Sequence, residues 1–199
     1  MSRSERLIVG LTGMSGAGKS TVCRVFSDNG FDIIDCDKCA REVTEPGMNA
    51  LSELSQRLSP ELIRGDGSLD RRRTAELIFH DPEKRTLFNK IIYPYITYNI
   101  VEKIKQGGGF VLLDAPTLFE ARLELLCRRI VSVTADIDIC AGRITVRDGI
   151  TPELARARLS SQHNADFYRK RSDYCLENNG TQQQLYDEAA EVIKALKGE

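Results

Sequence analysis

Gly13-Met14-Ser15-Gly16-Ala17-Gly18-Lys19-Ser20 satisfies every fixed position of the pattern G-x-x-x-x-G-K-[ST]. Those residue types build a cradle for a triphosphate. Glycines admit positive φ and let backbone N–H groups come close to phosphate oxygens. Lys19 carries a point charge that can span the β- and γ-phosphates. Ser20 offers a hydroxyl to Mg²⁺. Gly13, Gly16, Ala17, Gly18, Lys19, Ser20 and Thr21 are the expected nucleotide contacts. The competing reading, a glycine-rich turn without a ligand, has the flanking sequence against it. Leu7-Ile8-Val9-Gly10-Leu11-Thr12 reads as an apolar strand before the loop. Val22, Val25 and Phe26 fall on one helix face after it.

Three carboxylates stand where such a loop needs them. Asp35 and Asp37 lie one residue apart, just past the short strand pattern 31–35. Phosphoryl transfer to a hydroxyl needs a carboxylate that accepts or orients the hydroxyl proton, and groups that hold Mg²⁺. The same spacing suits a helix cap, and on spacing alone both roles stand. Asp114 closes Phe110-Val111-Leu112-Leu113-Asp114, the form of an apolar strand ending in a carboxylate near Mg²⁺. Its competing role is a hydrogen bond closing the turn before Pro116.

Arg143 and Arg147 are spaced i, i+4, and Arg156, Arg158 and Arg169-Lys170-Arg171 follow. A basic helical hairpin late in such a chain can close over a triphosphate and stabilise charge that develops in transfer. The competing reading is a solvated face balanced by Asp148 and Glu153. Arg71-Arg72-Arg73, Lys84, Arg85 and Lys90 could meet an anionic acceptor, although each singly reads as surface.

The elements that must position these groups follow from periodicity and punctuation. Strands are predicted at 7–12, 31–35, 110–114, 130–134 and, weakly, 174–177. Residues 36–106 read as almost entirely helical, with Ala50, Leu51, Leu54 and Leu58 on one face and Leu87, Ile91 and Ile92 on another. Tyr93 precedes Pro94, read as a helix start. Thr151-Pro152-Glu153 has the cap, first-position proline and acidic first turn of a helix N-terminus. The stretch 181–197 is an amphipathic helix. Strands separated by helices imply an α/β fold with a parallel sheet, whose ligands sit at the carboxyl ends of the strands. Thr12-Gly13, Asp35-Cys36-Asp37 and Asp114-Ala115-Pro116 all fall at such ends.

The chain has 199 residues, 41% of them apolar, with 28 basic and 29 acidic side chains. The near-zero balance speaks against bulk binding of nucleic acid or anionic membranes. No run approaches the ~20 apolar residues of a membrane span, and residues 1–6 lack the apolar core of a secretory leader. The expectation is a soluble cytoplasmic protein, a monomer or small homo-oligomer, with its six scattered cysteines reduced. Cys36-Asp37-Lys38-Cys39 is a lone C-x-x-C without a second pair, which reads as packing before metal or redox chemistry.

Together these residues closely resemble the dephospho-coenzyme A kinase family. The resemblance runs from about residue 7 to 195. It rests on Gly10-Leu11-Thr12-Gly13 leading into the loop, on Asp35-Cys36-Asp37 with Ala40-Arg41, and on Gly67-Ser68-Leu69-Asp70-Arg71. Phe79-His80-Asp81-Pro82, Leu113-Asp114-Ala115-Pro116, Arg143, Arg147-Asp148-Gly149, Gln162 and Asn178-Asn179-Gly180 complete it. The resemblance implies a P-loop nucleoside-kinase-like fold: a five-stranded parallel core (1–36, 107–139 and 173–199), a helical acceptor-binding insert (37–106) and a small helical lid (140–172). It implies transfer from ATP, with Mg²⁺, to the ribose 3′-hydroxyl of dephospho-coenzyme A. By the same analogy Asp37 is the base, and Lys19 and Arg143 stabilise the moving phosphoryl. Arg147 and Asn178 contact ATP, the latter at adenine. Ser20 and Asp114 hold the metal, and Thr12, Asp35, Arg41, Asn89 and Tyr93 face the acceptor. The chain departs from the family pattern twice. Tyr93-Pro94 replaces the usual His-Pro, and Pro116-Thr117-Leu118 replaces Pro-Leu-Leu.

Rival readings have weaker support. Another small-molecule or nucleoside monophosphate kinase would not need the G-x-L-D-R insert. A GTPase would want N-K-x-D, but Asn89-Lys90 continues as Ile91-Ile92. A regulatory module that has lost catalysis is opposed by the intact Lys19, Ser20, Asp37 and Arg143.

Overall fold

The structure, a computed structural model, describes residues 6–198. The leader reading concerned residues 1–6, of which 1–5 lie outside the described residues. The chain forms two compact units. One runs up to Ile34 and resumes at Gly107; the other is Asp35–Gln106. The boundaries expected at 36/37 and 139/140 each fall inside a helix.

The first unit is built on a parallel sheet. Its strands are β1 (Leu7–Gly13), β2 (Asp32–Asp35), β3 (Phe110–Asp114), β4 (Arg129–Thr134) and β5 (Tyr174–Glu177), in the spatial order β2-β3-β1-β4-β5. Central β1 is buried along nearly its whole length, so it reads as the near-continuous apolar run of a strand covered on both faces rather than an alternating one. Val9, Leu11, Val111, Leu112, Leu113, Val131 and Val133 are all fully buried. The register pairs Leu11 with Asp114, Thr12 with Ser132 and Gly13 with Val133. Because the strands are parallel, their polar ends collect at one edge.

Helix α1 (Lys19–Asp28) buries Val22, Val25 and Phe26, the face read from their spacing. Phe31 packs edge-on against Phe26, with ring centroids 4.8 Å apart. In chain order, the second unit then contributes α2 (Cys36–Glu42), α3 (Asn49–Arg57), α4 (Arg71–His80) and α5 (Pro82–Gln106). The first unit resumes with α6 (Ile137–Asp148), α7 (Pro152–Ser160), α8 (Ala165–Arg171) and α9 (Gln182–Gly198). Helix α9 packs on α1, and α8 packs on β4 and β5. Thr151 caps α7 through the Leu154 N–H, with Pro152 at the first position, as the sequence indicates.

Within the second unit, α5 packs against α2, α3 and α4. Its length corrects one expectation: Pro94 lies inside α5 rather than opening a helix. A proline there frees the carbonyl four residues earlier. Both Pro94 and Lys90 are exposed, and the helix continues through them. Among the described residues, no helix is long and apolar enough to cross a membrane.

Candidate active site

The loop is held by extensions of the sheet's own hydrogen-bond ladder. Met14 N–H donates to the Val133 carbonyl at 3.1 Å, Ala115 N–H to Leu11 at 3.0 Å and Asn178 N–H to Thr134 at 2.8 Å. Each bond carries the ladder one step beyond a strand, into a segment expected to do chemistry. Gly13 must be glycine: its φ is 143°, and a Cβ would lie 2.1 Å from the Val133 carbonyl oxygen. Gly18 sits at φ 106° as the residue before α1. No acidic side chain lies in the first turn of α1. Its N-terminal amides therefore meet no carboxylate from their own turn, an arrangement that favours an anion.

Lys19 Nζ forms an ion pair with Asp114 Oδ1, both side chains about one-fifth exposed. The structure thus brings together the loop lysine and the carboxylate at the end of β3. The bond to the Pro116 carbonyl comes from Thr12, while Asp114 pairs with Lys19. Ser20 is exposed at the start of α1. Among the described residues, no group of three acidic, histidine or cysteine side chains makes a metal cage.

Arg143, on α6, reaches the loop. Its Nη1 donates to the Gly16 carbonyl and its Nη2 to the Asn178 carbonyl, each at 3.3 Å. Asn178 is 7% exposed, and its Nδ2 donates to the Ala17 carbonyl at 2.7 Å. Its Oδ1 is buried and has no hydrogen-bond partner among the described residues. The side chain expected at adenine therefore holds the loop. From the turn after α7, Gln162 Oε1 accepts from the Ser15 N–H at 3.1 Å. Beside this contact lies a cavity of about 690 Å³, lined among others by Met14, Asp136, Gln162, His163 and Phe167.

Two residues expected at the ligands have partners within the protein. Thr12 is fully buried and its hydroxyl donates to the Pro116 carbonyl at 3.2 Å. Arg147 turns to Asp148, making bonds of 2.6 and 2.9 Å, and Arg158 joins the same carboxylate at 2.7 Å. These bonds, that from Arg147 first, hold the Asp148 carboxyl below its ordinary range. Arg156 pairs with Asp138, and Arg169 with Asp166 and Glu177. The counter-charges of this segment thus engage Arg147, Arg156, Arg158 and Arg169, while Arg143 points to the loop.

In the second unit, Asp35 is the residue before α2 and accepts from the Lys38 N–H at 2.8 Å. It is a helix cap. Asp37 stands in the first turn of α2, exposed, and Arg41 lies one turn on, also exposed. Asn89 and Tyr93 are half-buried and spaced i, i+4 along α5. Glu42 accepts from Lys103 at 2.6 Å and from Asn99 at 3.3 Å. The Lys103 bond first, against a smaller cost of burial, holds its carboxyl below the usual range. Arg71 Nη2 donates to Thr44 Oγ1 at 3.1 Å, and Asp70 caps α4. Asp70-Arg71 of the G-x-L-D-R stretch thus organises this unit. Arg72, Arg73 and Lys84 have acidic neighbours at Glu76, Glu61 and Asp81. Cys36 and Cys39 are buried in α2, and burial pushes the Cys39 thiol up.

Sequence reading did not assign a role to Gln162 or an anchoring role to Asn178. The bonded partners lie 147 and 161 residues away, beyond any local pattern.

A strand, glycine loop and helix N-terminus, with a lysine–carboxylate pair at the edge of a five-stranded parallel sheet, define a P-loop kinase. A model of the dephospho-CoA kinase family matches residues 7–184, and the chain belongs to that family. It is 35% identical over 194 residues to a dephospho-CoA kinase of Corynebacterium glutamicum, covering 96% of this chain and 97% of that one. A solved structure from Thermus thermophilus superposes with a TM-score of 0.85 at 32% identity, covering 96% of this chain and 98% of the other. A dephospho-CoA kinase from Campylobacter jejuni, at 24% identity and a TM-score of 0.70 over 96% and 98% of the two chains, shares the fold.

Proposed function

We propose that this chain transfers the terminal phosphoryl group of ATP to the ribose 3′-hydroxyl of dephospho-coenzyme A, giving coenzyme A and ADP. The observation that carries this reading is the intact loop, with Lys19 paired to Asp114 at the strand edge, in a chain matching dephospho-CoA kinases over nearly its whole length.

The cradle binds the triphosphate through the loop amides and the N-terminus of α1. Lys19 exchanges its Asp114 partner for phosphate oxygens, the stronger charge in reach. That exchange releases the Asp114 carboxylate, which with the exposed Ser20 hydroxyl offers two oxygens. Two protein oxygens suit Mg²⁺, which keeps several waters and leans on substrate phosphates rather than on an all-protein cage. Bound there, Mg²⁺ would neutralise charge on the phosphate oxygens. Asp37 takes the 3′-hydroxyl proton as general base, while Asp35 keeps its cap. Arg143 and Lys19 stabilise negative charge on the moving phosphoryl. Arg41, Asn89 and Tyr93 serve the acceptor.

A coupled ADP-release assay tests the reading, with dephospho-coenzyme A against a panel of nucleosides and nucleoside monophosphates. Release only with dephospho-coenzyme A is expected. Faster release with a nucleoside monophosphate would overturn the acceptor assignment; no release with any acceptor would overturn catalysis.

A further inference from the structure

Ser15 and Gly16 are consecutive residues of the phosphate loop, and each is held from the α6–α8 segment. Gln162 Oε1 takes the Ser15 N–H at 3.1 Å, while Arg143 Nη1 donates to the Gly16 carbonyl at 3.3 Å. One contact supplies an acceptor and the other a donor. Together they fix both polar sides of the Ser15–Gly16 stretch. Gln162 is itself placed by a tight turn, its N–H donating to the Leu159 carbonyl at 3.1 Å. Leu159 and Ala155 are buried, so the end of α7 is anchored in the first unit. Apart from Ala17, which is buried, the loop from Ser15 to Lys19 is partly open to solvent. Its shape therefore depends on such tethers rather than on packing alone.

We infer that Gln162 is a positioning residue for phosphoryl transfer: its amide oxygen on the Ser15 N–H makes the loop's phosphate-accepting shape depend on the seating of the α6–α8 segment. The inference rests on residues 13–20 being the ATP cradle. Gln162 does not have to touch ATP; it acts through Ser15. A glutamine is fitted to this task because it is neutral. A glutamate would offer the same acceptor but set a negative charge beside the phosphates.

The test is Gln162→Met, which keeps length and removes the hydrogen bond. The side chain is exposed, so folding should survive. Amide-proton exchange at Ser15 should accelerate about tenfold, the effect of losing one neutral hydrogen bond. Turnover should fall by about the same factor, with weaker binding of a non-hydrolysable ATP analogue and an unchanged KM for the acceptor. Gln162→Glu should restore Ser15 protection without nucleotide but leave ATP binding weak. Unchanged Ser15 exchange and turnover in Gln162→Met would overturn the inference. So would tighter binding of the analogue, because Oε1 would then be competing with phosphate rather than shaping its site. Lys19→Ala, run in parallel, separates this from the cradle reading. If Lys19→Ala also leaves analogue binding and turnover intact, the cradle itself fails. If it abolishes them while Gln162→Met changes nothing, only the role of Gln162 falls.

Discussion

Replacing Asn178 by leucine separates an anchor from a ligand contact. The substitution keeps approximate shape and both main-chain bonds, the N–H to Thr134 and the carbonyl to Arg143. It removes the Nδ2 donor from the Ala17 carbonyl, a 2.7 Å bond between buried residues. Leaving a buried acceptor unmet costs about 1–3 kcal/mol. Part is offset, because the variant also removes Oδ1, which is buried without a partner among the described residues. A net loss of about 1–2 kcal/mol is expected, and at about 2–4 °C per kcal/mol for a chain of this size the melting temperature should fall by about 2–8 °C. Freed from the anchor, the Ala17–Gly18 peptide can turn, so ATP-analogue affinity should weaken as well. Asn178→Asp should do worse, because a carboxylate would face the Ala17 carbonyl. Thermal unfolding followed by circular dichroism and calorimetric titration of the analogue measure both effects. A melting temperature within about 1 °C of the parent, with weakened ATP binding, would refute the anchoring argument and return Asn178 to adenine.

Asp37→Asn should keep both substrates bound but slow the chemical step in single-turnover measurements, because the amide loses the proton acceptor. Asp35→Asn should change it little, since asparagine caps a helix nearly as well as aspartate; a reversed order would move the base to Asp35. Arg147→Ala should alter ATP KM and turnover by no more than about twofold, as expected for an exposed ion pair, and a tenfold rise in ATP KM would place Arg147 at the nucleotide. Tyr93→Phe should raise the acceptor KM modestly and Tyr93→Ala more, with ATP KM unmoved, whereas Tyr93→His should stay active and gain a pH dependence near neutrality. Unchanged acceptor KM in all three would make Tyr93 a packing residue.

What could be read from the sequence was what local chemistry dictates. The buried strands β1, β3 and β4 announce themselves because a strand covered on both faces has no polar alternation to hide it. The α7 N-terminus was legible because cap, proline and glutamate act within one turn. The D-x-D pair was not resolved by spacing, because capping and base chemistry ask for the same residue at the same junction. The Lys38 N–H settles what Asp35 does in the fold. Arg143 and Arg147 look alike in sequence, one helical turn apart. The nearest carboxylate separates them: Asp148 adjoins Arg147 in the chain and captures it, leaving Arg143 for the loop. Pro94 misled because the penalty of an internal proline depends on where the freed carbonyl points, which the sequence does not state.

The glycines of the loop answer to two separate demands. A phosphate cradle wants backbone amides within reach of oxygen, which explains why side chains are small there. Gly18 is under a second demand that owes nothing to the ligand. A Cβ on it would stand 2.4 Å from Asn178 Nδ2, the atom that holds Ala17. Any larger residue must push away the anchor of its own loop, in addition to straining a backbone at φ 106°. Gly18 and Asn178 are therefore coupled across the sheet edge: the absent side chain at one position makes room for the buried amide at the other. Through the Asn178 carbonyl the coupling extends to Arg143. The phosphate loop, the end of β5 and helix α6 thus meet at a single asparagine, so a disturbance at any one of them should be felt at the phosphates.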